Sequence, residues 1–242
     1  FSYLINNSAI MNNRRVKNMN KQQQLTKMLL EFGVSKVGYC DLSNLLPEKY
    51  SHLKSGISLA VHLSEQIINE IDTVDGPTHT YFHHYRTVNT FIDQVSLKIM
   101  MKIQEMGYLA LPIPASQTIN DNGWNFKGLF PHRTAATRAG IGWIGKNCCL
   151  ITEEFGPRVR LGTILTNMPL SYNDPINNSN CGECEACIKA CPAIALKGAL
   201  WYPGIERDEI IDARACSTHM STHYKHIGRG SVCGICVKIC PK

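Results

Sequence analysis

The stretch Cys181-Gly182-Glu183-Cys184-Glu185-Ala186-Cys187-Ile188-Lys189-Ala190-Cys191-Pro192 has the spacing C-x2-C-x2-C-x3-C-P without deviation. Three thiolates two residues apart wrap a tight loop over one face of an iron–sulfur cubane. The fourth lies beyond reach of that cluster and turns to a different one, and the proline stops the chain from folding back. One such run therefore predicts a second. It arrives as Cys233, Cys236 and Cys240 before Pro241, one cysteine short, and Cys216 is the only cysteine between the two runs. A crossed assignment follows. Cys181, Cys184, Cys187 and Cys240 hold one [4Fe–4S] cluster, and Cys216, Cys233, Cys236 and Cys191 hold the other. Zinc ribbons also use C-x2-C pairs, but not triplets trailed by C-P. Disulfides need an oxidising compartment, and the first residues do not read as an export signal: residues 1–10 are mildly apolar, but Arg14 and Arg15 follow them instead of preceding them.

Charge and length set the surroundings of that cysteine domain. The chain has 242 residues and a formal charge of +6, which invites a nucleic-acid partner. Eight cluster thiolates and two doubly charged cluster cores bring the loaded protein to about +2, so charge alone argues little for such a partner. No run of apolar residues is long enough to span a membrane, and the expected location is the cytoplasm. The chain does not begin with Met, and Met11 and Met19 are candidate starts. Residues 1–20 read as a poorly ordered, Asn-rich tail.

Working back towards the N-terminus, the chain reads as α+β. Asn20 caps a helix over 21–32, with Leu25, Met28, Leu29 and Phe32 on one face and Gly33 as its stop. Strands are predicted over 34–41 and 57–63, the second half-buried because Ile57, Leu59, Val61 and Leu63 alternate with Ser58, Ala60 and His62. A long helix carries Val88, Ile92, Val95, Ile99 and Ile103, with His79, His83 and His84 ahead of it as a candidate pocket wall. An extended turn over 111–116, a helix over 132–139, and strands over 148–152 and 158–166 follow. Residues 169–180 hold two Pro, four Asn and two Ser, a linker composition. The expected organisation is an α+β substrate or cofactor domain over 21–172 and a double-cluster, ferredoxin-like domain over 173–242.

Gly140-Ile141-Gly142-Trp143-Ile144-Gly145 literally fits the dinucleotide pattern G-x-G-x-x-G, and Gly140 to Lys146 fits most of a P-loop. Both mechanisms need a strand, then the loop, then a helix N-terminus facing phosphate. The predicted order here is helix, loop, strand, and Asn147 replaces the magnesium-binding hydroxyl. Neither nucleotide site is expected. Either a tight turn packed under Trp143 or a cofactor contact explains the glycines. Of the remaining cysteines, Cys40 is expected in the core, and Cys148 and Cys149 as buried thiols, one of which could face a ligand.

The block Arg138 to Asn147, followed by the double-cluster cysteines, resembles epoxyqueuosine reductase and its relatives. The resemblance covers about 130–242 and reaches more faintly back to about 55. It implies an iron–sulfur oxidoreductase whose clusters feed electrons to cobalamin in a domain like that of reductive dehalogenases. The substrate it implies is a modified base in a tRNA anticodon loop, its epoxide reduced to an alkene. It also implies an electron donor such as a ferredoxin or flavodoxin. Gly140, Gly142, Trp143, Gly145 and Lys146 become candidate cofactor contacts. One departure matters. The family's catalytic Asp lies twelve residues before the position of Arg138, and here that residue is Phe126, with Lys127 next and Asp121 five residues away. Lys127, His132 and Lys146 are the candidate catalytic residues. The segments 112–117 and 130–133 look more like a shorter relative common in anaerobes, whose substrate is undefined: a small molecule or a tRNA. The chain ends two residues after Cys240, whereas family members continue, which makes a fragment the expectation. The alternative to an enzyme is a ferredoxin-like carrier that docks a redox partner. A pocket lined by Trp143, His132 and Lys146 would favour the enzyme, and a filled core there the carrier.

Overall fold

The computed structural model describes residues 20–119, 126–228 and 232–242. The expected tail before residue 20 and Asp121 lie outside them. Helix α1, Lys21–Glu31, begins at a reciprocal cap in which the Asn20 side chain accepts from Gln23 N and Gln23 answers to Asn20 N. Strand β1, Lys36–Asp41, pairs antiparallel with β2, Ser55–His62. A short helix α2, Glu65–Asn69, leads to the long helix α3, His79–Glu105. Strand β3, Ala110–Ile113, follows, then helix α4, His132–Arg138. The glycine block continues into a small hairpin of β4, Trp143–Ile144, and β5, Leu150–Ile151. Strand β6, Val159–Thr166, returns to the main sheet, whose order is β1-β2-β6-β3, antiparallel throughout.

Two cores sandwich this sheet. Ile57, Leu59, Val61 and Ile164 face α1 and α3 and pack with Leu25, Leu29, Ile92 and Ile99. On the reverse face Ala60, Leu165 and Cys40 pack with Ala135, Ala136 and Ala139 around α4. Strand β2 is therefore buried on both faces up to His62, not half-buried as its alternation predicts. Gly56, Ser58 and Ala60 are small, and small residues on a strand mark a helix at close range as readily as they mark solvent. The Cβ position of Gly38 on β1 lies 2.4 Å from Ala139 O, so α4 rests directly on the sheet. Helix α3 starts two turns earlier than its apolar period suggests. The Thr78 hydroxyl caps it by accepting from Tyr81 N at 3.1 Å, which places His79, His83 and His84 inside the helix. Strand β3 lies at the sheet edge, where Pro112 costs no ladder bond.

The C-terminal part folds around short helices: α5, Ala186–Lys189; α6, Arg207–Ile210; α7, Ala213–His223; and α8, Ile235–Lys238. It does not hang from a free linker. Asn173 exchanges hydrogen bonds with Tyr39 on β1, and Ile176 N donates to Thr137 O on α4. Val232, Ile235 and Val237 bury themselves in the core beneath α3, and Ile235 has no exposed surface. Ile235→Ala is expected to cost about 2–5 kcal/mol, the range for a fully buried aliphatic truncation. Anaerobic denaturant unfolding measures it, and a loss below about 1 kcal/mol would show that the anchor is not energetic.

Candidate functional site

All eleven cysteines are free thiols, and eight of them surround two cavities. The first holds about 350 Å³ of empty space and is lined by Cys181, Cys184, Cys187 and Cys240, with Lys146 and Asn147 on its wall. The second, about 420 Å³, is lined by Cys191, Cys216, Cys233 and Cys236, again with Asn147 on its wall. The two sets are those of the crossed spacing. Among the described residues no three His, Cys, Asp or Glu stand close enough to hold a single metal ion. Four thiols spread around a cavity fit a cubane, whose separate irons hold its ligands apart. Burial pushes the Cys187 and Cys216 thiols up to about 11, so both keep their protons until a metal displaces them. Cys184 is exposed, which brings the first cavity to the surface.

Two further atoms near the first cavity suit an anionic sulfur-rich occupant. The Trp143 indole N–H is buried without a hydrogen-bond partner among the described residues, in the same apolar cluster as Cys240 and Cys181. Lys146 is only 7% exposed and makes no hydrogen bond or ion pair among the described residues. A buried ammonium left unpaired is costly, and a cluster ligated by four thiolates is an anion that offsets that cost.

The glycines have another explanation. A Cβ on Gly142 would stand 2.1 Å from Ile151 O, and one on Gly145 would stand 2.4 Å from Ile151 Cδ1. Gly140 has φ +67 and faces Asp174 O at 2.8 Å. Each is required by close approach of this chain's own backbone or side chains, chiefly β5 crossing over the block. The missing Cβ at each of these glycines is thus accounted for without a cofactor. The order helix, loop, strand also holds, which removes the helix N-terminus that a nucleotide phosphate would need.

On the β6 side of the second cavity a polar face forms between α3 and α4. The Cys149 thiol lies beside that of Cys236, and this neighbour is the largest influence pulling Cys149 below the usual thiol range. With Cys236 bound to iron as a thiolate, the proton of that contact belongs to Cys149. Arg133 Nη1 donates to Cys148 O and lies 2.6 Å from Cys148 Sγ. Arg160 stacks 4.0 Å from the Tyr85 ring centroid and donates to Asn89 Oδ1. Asn147 links this face to the cavities: its Oδ1 accepts from Cys149 N at 3.0 Å and its Nδ2 donates to Cys236 O at 3.3 Å. Spacing in the sequence could not reveal these contacts, because Cys149 and Cys236 are far apart along the chain.

The candidate acids are scattered. His132 bonds through Nδ1 to Thr163 Oγ1 at 2.9 Å and through Nε2 to Pro114 O at 3.0 Å. A carbonyl can only accept, so Nε2 carries the proton, Nδ1 accepts from the hydroxyl, and desolvation holds the ring below its usual pKa. Both nitrogens serve the packing of α4 on the sheet. Lys127 is exposed, and its carbonyl accepts from Ile119 N at 2.8 Å. Phe126 has φ +55, and its carbonyl accepts from Arg207. Trp143, Lys146 and His132 do not share a pocket: Trp143 and His132 are packed away, and Lys146 faces the first cysteine cavity.

Residues 180–242 match the 4Fe-4S double cluster binding domain. Among curated proteins, the chain is similar to the epoxyqueuosine reductase of Gloeobacter violaceus, 48% identical over 34% of this chain and 22% of that one. It is also similar to that of Vibrio cholerae, 24% identical over 90% of this chain and 66% of that one. The chain thus spans no more than about two thirds of these relatives. The solved epoxyqueuosine reductase of Streptococcus thermophilus superposes with a TM-score of 0.62 at 20% identity, over 92% of this chain and 66% of the other. A catabolic reductive dehalogenase gives 0.71 at 19% identity, over 90% of this chain and 31% of the other. The chain is therefore similar in sequence to epoxyqueuosine reductases, shares the α+β fold of their solved structures, and matches a double 4Fe-4S cluster binding domain over residues 180–242.

Proposed function

We propose that this protein is an oxidoreductase in which two [4Fe–4S] clusters relay single electrons to an acceptor at the face formed by Tyr85, Arg133, Cys149 and Arg160. Cys181, Cys184, Cys187 and Cys240 ligate the first cluster, and Cys191, Cys216, Cys233 and Cys236 the second. The carrying observation is Asn147, which borders both cavities and hydrogen-bonds to both Cys149 N and Cys236 O. It makes the two clusters neighbours and joins the second to the N-terminal part. Electrons enter beside exposed Cys184 from a donor such as a ferredoxin or flavodoxin, cross past Asn147, and leave through Cys236 and Cys149. Two guanidinium groups and a tyrosine at the exit suit an anionic acceptor. No described helix is long and apolar enough to cross a membrane.

Cobalamin is one acceptor to test, because a structure of the dehalogenase neighbour is described as suggesting a mechanism for B12-dependent dehalogenation. The packed glycine block is accounted for without it, so no step is assigned to it. The same filled block favours a second reading, a carrier that passes electrons to a docked protein. Anaerobically reduced protein is mixed with cobalamin, or separately with an oxidised flavodoxin, and cluster reoxidation is followed in the visible spectrum. Saturable one-to-one transfer to cobalamin supports the enzyme, and transfer to the protein partner alone supports the carrier. Protein isolated anaerobically without iron would overturn both.

A further inference from the structure

We propose that Lys146 is a built-in charge that makes the first cluster the easier of the two to reduce, so that an electron at rest sits there. The proposal builds on the cluster assignment above. Each cluster, with its four thiolates, goes from doubly to triply negative as it takes one electron. A fixed cation beside it stabilises the reduced form more than the oxidised one.

The two cavities differ in the cations around them. Lys146 is on the wall of the first and is absent from the second. The described residues lining the second include no lysine or arginine, and the nearest guanidinium groups, Arg133 and Arg160, stand behind Cys149 and are engaged by Cys148 and Asn89. Arg158 also approaches the first, donating to Cys240 O at 3.4 Å, but its charge is shared with Glu65 at 3.2 Å. Lys146 has no such partner among the described residues, and it is only 7% exposed, so little water screens it. Its place is rigid. Gly145 N donates to Cys149 O and Cys148 N to Gly145 O, closing the turn that carries Lys146, and the neighbouring Asn147 side chain is tied at both ends. The lysine is the last residue of the Gly140 to Lys146 block, whose glycines are packed against β5 and the strap at Asp174. The block therefore works as a frame that holds one buried lysine at the wall of one cavity.

The test uses the anaerobic full chain with both clusters loaded, first assayed for iron and sulfide and then titrated with dithionite under EPR. K146M should keep both clusters and lower one midpoint, changing that cluster's reduction equilibrium at least tenfold, about 59 mV for a one-electron couple. The other midpoint should move much less, and K146R should restore the first. If K146M does not load, K146Q takes its place. Loss of one cluster in both neutral variants, with retention in K146R, would also support a charge requirement at that wall. Unchanged midpoints in a fully loaded neutral variant, equal shifts of both, or cluster loss in all three variants would overturn the proposal. A wild-type chain without iron would instead overturn the cluster assignment beneath it.

Discussion

A C216A protein is expected to hold about four iron and four sulfide per chain, against about eight of each in the unaltered protein. Cys216 sits on α7, whose N-terminus is fixed by the Asp212 carboxylate accepting from Ala215 N at 2.9 Å. Its thiol borders the second cavity with Cys191, Cys233 and Cys236. Without it one iron of that cubane lacks a protein ligand, while the first cavity keeps all four thiols. Crossed ligation makes a sharper demand. C191A, although it alters the first cysteine run, should abolish the same EPR signal as C216A, and C240A should abolish the other. Cys149 is the nearest substitute, because its thiol already meets that of Cys236. The C149A/C216A protein is therefore measured alongside, to close that route. Full iron in both proteins, or loss of different signals in C191A and C216A, would show that the eight thiols are divided differently.

The grouping of eight cysteines around two cavities was legible because three cysteines in each run lie close in sequence, and the leftover thiols are few enough to assign by counting. Helix α1 was legible for similar reasons: its cap, apolar period and glycine stop are all local. What required the fold was contact across the chain. Asn147 reads in the sequence as a defect in a phosphate loop, and only the folded chain places it between two cavities. Cys149 reads as a buried thiol, and nothing near it in sequence announces Cys236. The glycines were visible, but their cause was not. A backbone crossing close over a glycine and a cofactor contact both demand a missing Cβ, and the identity of the neighbour is a tertiary fact. The same limit hid the start of α3, whose first two turns are rich in His and Tyr and follow no apolar period.

The protein is expected to convert epoxyqueuosine in tRNA at least about 100-fold more slowly than a relative that carries the catalytic Asp, even with cobalamin and a strong reductant supplied. Opening an epoxide leaves an oxygen that must be protonated, and a positioned acid contributes about 10²–10⁴-fold to such a step. By the resemblance read from the sequence, Phe126 stands at the position of that Asp, and it has no proton to give. His132 cannot replace it while Thr163 and Pro114 hold both ring nitrogens, and its lowered pKa leaves it neutral at pH 7. Lys127 is the remaining candidate, on the exposed side of a bridge to Ile119. Phe126 holds φ +55, a conformation that a bulky aromatic takes at a cost and that Asp tolerates better. F126D therefore suits the local backbone as well as supplying a carboxyl. It should raise conversion at least about tenfold, most at low pH, where a general acid keeps its proton. Conversion is assayed anaerobically on an epoxyqueuosine-containing anticodon stem-loop, with cluster content equalised between the two proteins. Robust turnover by the unaltered chain would mean that Lys127, or an acid among residues 120–125, protonates the oxygen. Turnover by neither protein, with both clusters reducible, would point to a different substrate or to the carrier role.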